Sequence, residues 1–257
     1  MGAFDFTHAL LRAPGRSVTH GLRDGDHAGP AYEDVVREHA AYAAALRQLG
    51  LEVEVLAPIE AYPDSIFVED PALVFAEGAI LLNPGAPSRA GEVAMIAPEL
   101  EARFGQVLRL TDGFVDGGDV LTTPDEVLIG LSARTDRAGG EALIDALAML
   151  GRKGRIVRTP PGVLHFKTGC GMIDQDTVAV IRALDDPGIF GTLRRVVIAD
   201  DEAAGANLLC IRGRVLIGDA FPRTRELVEG LGLSTIALPV DAIAKIDAGL
   251  SCMSLRW

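Results

Sequence analysis

One thiol, one imidazole and several carboxylates stand in apolar surroundings in this chain. Cys252 lies in GLSCMSL, His165 in LHFKTGCG, Asp116 and Asp119 in FVDGGDVL, and Asp64, Glu69 and Asp70 in DSIFVEDPALVF. A thiolate is a strong nucleophile, and an imidazole moves protons near neutral pH. With carboxylates beside them, these are the parts of a covalent-catalysis site. Each has a plainer explanation when taken alone. A lone cysteine usually packs as a small apolar residue, DGGD suits a turn, and charged FVED could guard a strand edge. Cys170, between glycines, and Cys210, in the apolar run NLLCI, are expected to be inert core residues.

These residues gain meaning from the elements that must position them. Three segments align with one another: 79–100, 127–150 and 215–232. Each opens with an apolar strand-like run, passes through a short Gly/Ser/Pro turn carrying an arginine, and ends with 3.6-residue apolar spacing. A second strand-like element precedes each, at 65–75, 113–121 and 205–211. A fourth copy fits 165–181, and the fifth must be assembled from both chain ends, 18–49 and 249–255. The unit reads strand, strand, helix, strand, with a period of about 40–50 residues. One such unit cannot bury its own apolar face, so five would pack around a common axis. The cysteine, the histidine and the carboxylates each open a different unit, so a ring would gather them into one central cavity. The expected architecture is a single α/β domain over residues 1–257, a five-bladed α/β propeller of ββαβ units.

Composition narrows the function. The chain has 257 residues, is 49% apolar and 23% charged, and carries a formal net charge of −12. That balance opposes nucleic-acid binding and an anionic membrane surface, and favours cationic small molecules. Mean hydropathy is +0.26, yet no apolar run approaches the ~18 residues needed to span a bilayer. The start of the chain lacks the pattern of a secretory signal, and three widely spaced cysteines suit a reducing compartment, so a cytoplasmic location is expected. No CxxC, HxxxH or HExxH pattern supports a metal centre. No GxxxxGK[ST] or GxGxxG loop supports a nucleotide, and GxSxG is absent.

Across essentially its whole length the chain resembles the dimethylarginine dimethylaminohydrolase family of the guanidino-group-modifying (amidinotransferase, or pentein) superfamily. The motifs that carry the resemblance are PDSIFVED (63–70), PGAPSR (84–89), DGGDVL (116–121), LSARTDRAG (131–139), LHFKTGC (164–170) and KIDAGLSCMSL (245–255). The family fold is a five-bladed α/β propeller, in agreement with the repeat. The resemblance implies that Cys252 attacks a guanidinium carbon, that His165 is the general acid and base, and that Asp116 orients the histidine. Some bacterial relatives carry the longer Glu at that last position. It also implies that Asp70, with Glu69 beside it, grips the guanidinium nitrogens, and that Asp64 lies near the substrate α-amino group. Arg89 and Arg134 would clamp the α-carboxylate, and a pocket around Phe67 would receive methyl groups. Leu22, in a mobile lid spanning 21–29, and Ile246 would offer backbone carbonyls to the α-amino group. No metal or organic cofactor is implied.

The activity so implied is hydrolysis of Nω-methylated L-arginine to L-citrulline and an amine, by a monomer or homodimer. A deiminase acting on unmethylated arginine, or on another guanidino compound, is the first alternative. A non-catalytic binding protein on the same ring is the second.

Overall fold

The computed structural model describes residues 2–25 and 28–257; Met1, Asp26 and His27 lie outside the described residues. Among the described residues fifteen strands form five three-stranded sheets. In chain order the strands are β1 (His8–Arg12), β2 (Glu52–Leu56), β3 (Ala72–Phe75), β4 (Gly78–Leu81), β5 (Val107–Arg109), β6 (Val120–Thr122), β7 (Val127–Leu131), β8 (Gly154–Arg158), β9 (Cys170–Met172), β10 (Thr177–Val180), β11 (Arg194–Val197), β12 (Leu209–Ile211), β13 (Arg214–Gly218), β14 (Ser234–Leu238) and β15 (Leu255–Arg256). The helices are α1 (Tyr32–Gln48), α2 (Glu92–Glu101), α3 (Arg137–Met149), α4 (Pro187–Phe190), α5 (Pro222–Gly230) and α6 (Asp241–Ala244).

Every sheet has one plan. An inner strand runs antiparallel to a central strand, and the central strand runs parallel to an outer one. A parallel pair needs a crossover connection, and one of α1 to α5 supplies it in each blade. The order inner strand, central strand, helix, outer strand is the ββαβ repeat read from the sequence. Central strands β4, β7, β10 and β13 are apolar because a parallel strand covered on both faces must be. Each helix turns its apolar stripe onto its own sheet; Leu143, Ala146 and Leu147 of α3 pack with Ile129 of β7. Asp136 starts α3 by accepting from Gly139 N at 2.7 Å.

The fifth blade closes the ring from both ends of the chain, with order β15-β1-β2. Its central strand begins at His8, earlier than the segment 18–49 from which closure was expected. Thr7 N and His8 N donate to the Trp257 carbonyl, and the Trp257 indole stacks on His8 with ring centroids 5.2 Å apart. The inner strands are also shorter than expected. Residues 64–71, read as flanking or forming a strand, are successive turns, and β3 starts only at Ala72. The same holds ahead of β6, β9, β12 and β15, where 3-10 turns precede very short strands. Those turns hold the residues singled out for chemistry.

Candidate active site

Residues from ahead of the inner strands meet at a cavity of about 330 Å³, lined by Leu22, Asp64, Phe67, Asp70, Arg89, Asp116, Arg134, His165, Ile246 and Cys252. Of the carboxylates expected to face the cavity, Glu69 and Asp119 are missing from this lining. Arg23, Asp24, Leu164, Asp247 and Ala248 complete the wall. They were not singled out in the sequence, since each follows or precedes a motif residue without a chemical signature of its own. Five aspartates face three arginines there, a balance that suits a cationic guest.

Four blades deliver Asp70, Asp116, His165 and Cys252 from the segments just ahead of their inner strands, while Arg89 and Arg134 follow central strands. Cys252 sits in the 3-10 turn Leu250–Met253 before β15, and His165 precedes the turn Phe166–Thr168 before β9. Asp116 and Asp119 flank and end the turn Gly117–Asp119 before β6, both fully buried. The two glycines between them are there for close approach. A Cβ on Gly117 would lie 1.9 Å from the Glu69 carbonyl oxygen, and one on Gly118 2.8 Å from His165 Nδ1. DGGD therefore lets the histidine and the Glu69-Asp70 segment crowd onto the axis.

His165 Nε2 lies 3.0 Å from Asp116 Oδ2, so the shorter carboxylate does reach the imidazole. Burial disfavours the imidazolium, but the Asp116 hydrogen bond and the nearby Asp70 and Asp119 carboxylates outweigh it and raise the His165 pKa above its usual value. Cys252 moves up as well. Burial first, then the Asp70 and Glu69 charges, push its thiol to about 11. The same cavity thus carries a thiol disposed to keep its proton and an imidazole that favours its cation. A guest bringing positive charge to the sulfur would reverse the balance at the thiol.

Asp70 Oδ1 accepts from Gly118 N at 2.8 Å, and Oδ2 accepts from Arg89 Nη1. Burial works against its charge, yet Arg89 and His165 hold it below the usual carboxylate range. Asp64 is different: burial outweighs Arg89 and raises its pKa. Its Oδ1 accepts from Leu22 N at 2.9 Å, which ties the segment after the first 3-10 turn (Arg16–His20) to the cavity wall. The expected lid, 21–29, falls partly on Asp26 and His27, outside the described residues. Its described part meets the opposite wall where Asp24 N donates to Asp247.

Two expectations need correction. Glu69, expected beside Asp70 at the guanidinium, does not line the cavity that holds Cys252. Its carboxylate pairs with Lys167 Nζ at 2.6 Å and Arg256 Nη2 at 3.1 Å, and it lines a second cavity of about 550 Å³ bounded by the inner strands. The turn ahead of β3 sends the two neighbouring side chains to different cavities, Asp70 to the one that holds Cys252 and Glu69 to the other. The arginines are also unequal. Arg89 is buried, and its Nε and Nη2 form a fork on Glu92, with Nη2 also donating to the Phe67 carbonyl at 2.9 Å. With Nη1 engaged by Asp70, one N–H remains for a guest. Arg134 is more open, with Nη1 3.9 Å from Asp116 Oδ2.

Asp70, Asp116 and His165 place ligand-type atoms within 4.8 Å of one another. Their carboxylate oxygens are already committed, Asp70 to Gly118 N and Arg89, Asp116 to Gly85 N and His165.

A family model described as arginine deiminase matches residues 57–195. A dimethylarginine dimethylaminohydrolase of Pseudomonas aeruginosa is 35% identical, covering 98% of this chain and all of the relative. The chain belongs to the dimethylarginine dimethylaminohydrolase family. A relative of the same name from Streptomyces coelicolor is 33% identical over 96% of each chain. The family's solved structures carry the fold as well. That of the P. aeruginosa enzyme, a cysteine-to-serine mutant complexed with citrulline, superposes with a TM-score of 0.94 over 99% of this chain and all of that one. The five-bladed α/β propeller expected from the repeat is therefore the family's own.

Proposed function

We propose that this protein hydrolyses Nω-methylated L-arginine to L-citrulline and methylamine or dimethylamine, with Cys252, His165 and Asp116 as its catalytic residues. The observation that carries the reading is the gathering of thiol, imidazole and carboxylate with Asp70, Asp64 and Arg134 around one acidic cavity. Asp70 grips the guanidinium nitrogens and sets the guanidinium carbon before the sulfur. The bound cation lowers the cost of ionising the Cys252 thiol, whose proton passes to solvent, and the thiolate attacks that carbon. Charge-assisted binding by Asp64 at the α-amino group and Arg134 at the α-carboxylate fixes the other end. Leu22 and Ile246 add backbone contacts there, and Arg89 serves mainly as the counter-ion that keeps Asp70 charged.

The tetrahedral adduct collapses when the His165 imidazolium protonates the substituted nitrogen, and the amine departs. The carbon is left as an S-alkylthiouronium on Cys252. Neutral His165 then takes a proton from water, whose oxygen attacks the same carbon. The C–S bond breaks, citrulline forms and the thiolate returns. Phe67, buried in the wall, borders the space for the methyl groups.

The test is product analysis with asymmetric dimethylarginine and arginine in parallel. Citrulline with dimethylamine, and little turnover of arginine, is the expected result. Citrulline and ammonia from arginine alone would move the substrate to that of a deiminase, the activity for which the matching family model is described. No citrulline from either would overturn the reading.

A further inference from the structure

Four blades supply Asp70, Asp116, His165 and Cys252 from the segments ahead of their inner strands. The fifth, that of β12, supplies none of the residues given a role above. At the matching place, two residues before β12, stands Asn207. Its side-chain Oδ1 accepts from Ser251 N at 3.2 Å, and its Nδ2 donates to the Lys167 carbonyl at 3.3 Å. Ser251 is the neighbour of Cys252 in the turn Leu250–Met253, and Lys167 sits in the turn that follows His165. One amide therefore spans the two turns that carry the nucleophile and the acid/base. Only one orientation of the amide serves both partners, because Ser251 N must meet the oxygen and the Lys167 carbonyl must meet the nitrogen.

Gly249 strengthens the case. Its φ of −143° is open to any residue, yet a Cβ there would lie 2.6 Å from the Asn207 Oδ1 and Cγ atoms. The backbone before Cys252 thus rests directly on the Asn207 amide. Among the described residues no other side chain bonds both turns.

We infer that Asn207 is a positioning residue, a strut that sets the separation of Cys252 from His165 for the reaction proposed above, on which the inference rests. It touches neither the guest nor the reacting atoms. Its loss should slow the chemical steps, which need sulfur and imidazole in register, and leave substrate capture by Asp70, Asp64 and Arg134 intact. Misplacement by about 1 Å typically costs on the order of 100-fold in rate.

The experiment compares kcat and KM on asymmetric dimethylarginine for the full chain and its Asn207→Ala, Asn207→Asp, Gly249→Ala and Asn207→Ala/Gly249→Ala variants. The expected result for Asn207→Ala is a fall in kcat of about 10- to 100-fold, with KM within about threefold. Gly249→Ala should show the same split, and the double variant should be no worse than the poorer single one, since removing the amide makes room for the Cβ. Should Asn207→Ala fail to fold, Asn207→Asp decides. It keeps the shape and the acceptor for Ser251 N but loses the donor to Lys167, and a kcat loss of about fivefold or more at unchanged KM supports the strut. Variants with unchanged kcat, or with KM rising as much as kcat falls, overturn it. A wild-type chain inactive on methylated arginine overturns the functional reading itself, and the strut with it.

Discussion

At the scale of single residues, the site pairs a reluctant thiol with an imidazole that favours its cation. A thiol titrating at about 11 leaves roughly one thiolate in ~10⁴ molecules at pH 7. Alkylation of Cys252 by neutral iodoacetamide should therefore be slow at pH 7 and rise about tenfold per pH unit up to about 11. Mass spectrometry of the modified cysteine peptide reads this, and a plateau near pH 8 would contradict it. Cys252→Ser replaces the thiol by a poorer nucleophile of similar shape. Turnover should fall by at least ~10³-fold, while substrate still raises the melting temperature. For His165 the sign follows from charge. Asp116 stabilises the imidazolium, so Asp116→Asn should lower the His165 pKa toward or below its usual value, read by NMR titration of the ring. The rate should drop about 10²- to 10⁴-fold as the acid and its orientation are lost. The residues that share the cavity were legible in the sequence because a thiol, an imidazole and carboxylates in apolar runs are costly without a role. Glu69 was misplaced because the sequence shows two adjacent carboxylates but not that their side chains diverge to opposite cavities.

At the scale of elements, the repeat was legible because each blade spells out the same apolar run, turn and helical spacing. The turn before each inner strand was not. Segments such as DSIFVED are apolar enough to pass for strands, and only the crowding at the axis folds them into turns. Similar turns also end differently. Arg89 and Arg134 follow the central strands of neighbouring blades and both line the cavity, whereas the arginine of the matching turn in the β13 blade, Arg223, pairs with Asp201 and Glu202 away from it. Asp119 links these elements. Its oxygens accept from Phe166 N at 2.8 Å, Ser132 Oγ at 2.6 Å and Thr135 Oγ1 at 2.7 Å, and Thr135 Oγ1 in turn accepts from Asp116 N. One buried carboxylate so joins the histidine turn to the loop of Arg134. Asp119→Ala leaves three donors unpaired, and a loss of about 3–5 kcal/mol in stability is expected, as for breaking a buried polar network. Chemical denaturation measures it, and a loss below about 1 kcal/mol would mean that water or neighbouring groups replace the carboxylate.

At the scale of the whole molecule, a ring has no hydrophobic centre of its own; it holds together where each blade meets the next and where the last meets the first. Here the closing contact is made by the last residues of the chain. β15 is two residues long, pairs only with β1, and follows Cys252 by three positions. Trp257 extends that clasp, stacking on His8 and meeting Phe104 of the neighbouring blade edge-on with centroids 5.0 Å apart. Aromatic pairs of this kind add about 0.5–1.5 kcal/mol each beyond the area they bury. Trp257→Ala should thus cost about 2–4 kcal/mol, and in a chain of this size each kcal/mol shifts Tm by about 2–4 °C. The consequence for function is specific to this architecture. Loosening β15 loosens the turn that carries Cys252, whereas His165 and Asp116 belong to blades whose cores do not include Leu255 or Trp257. Trp257→Ala should therefore lose activity several degrees before its global unfolding, with iodoacetamide labelling of Cys252 rising over the same interval. Activity and circular dichroism followed on one temperature ramp decide the matter. Coincident transitions would show that the ring opens all at once and that the clasp carries no local stability of its own.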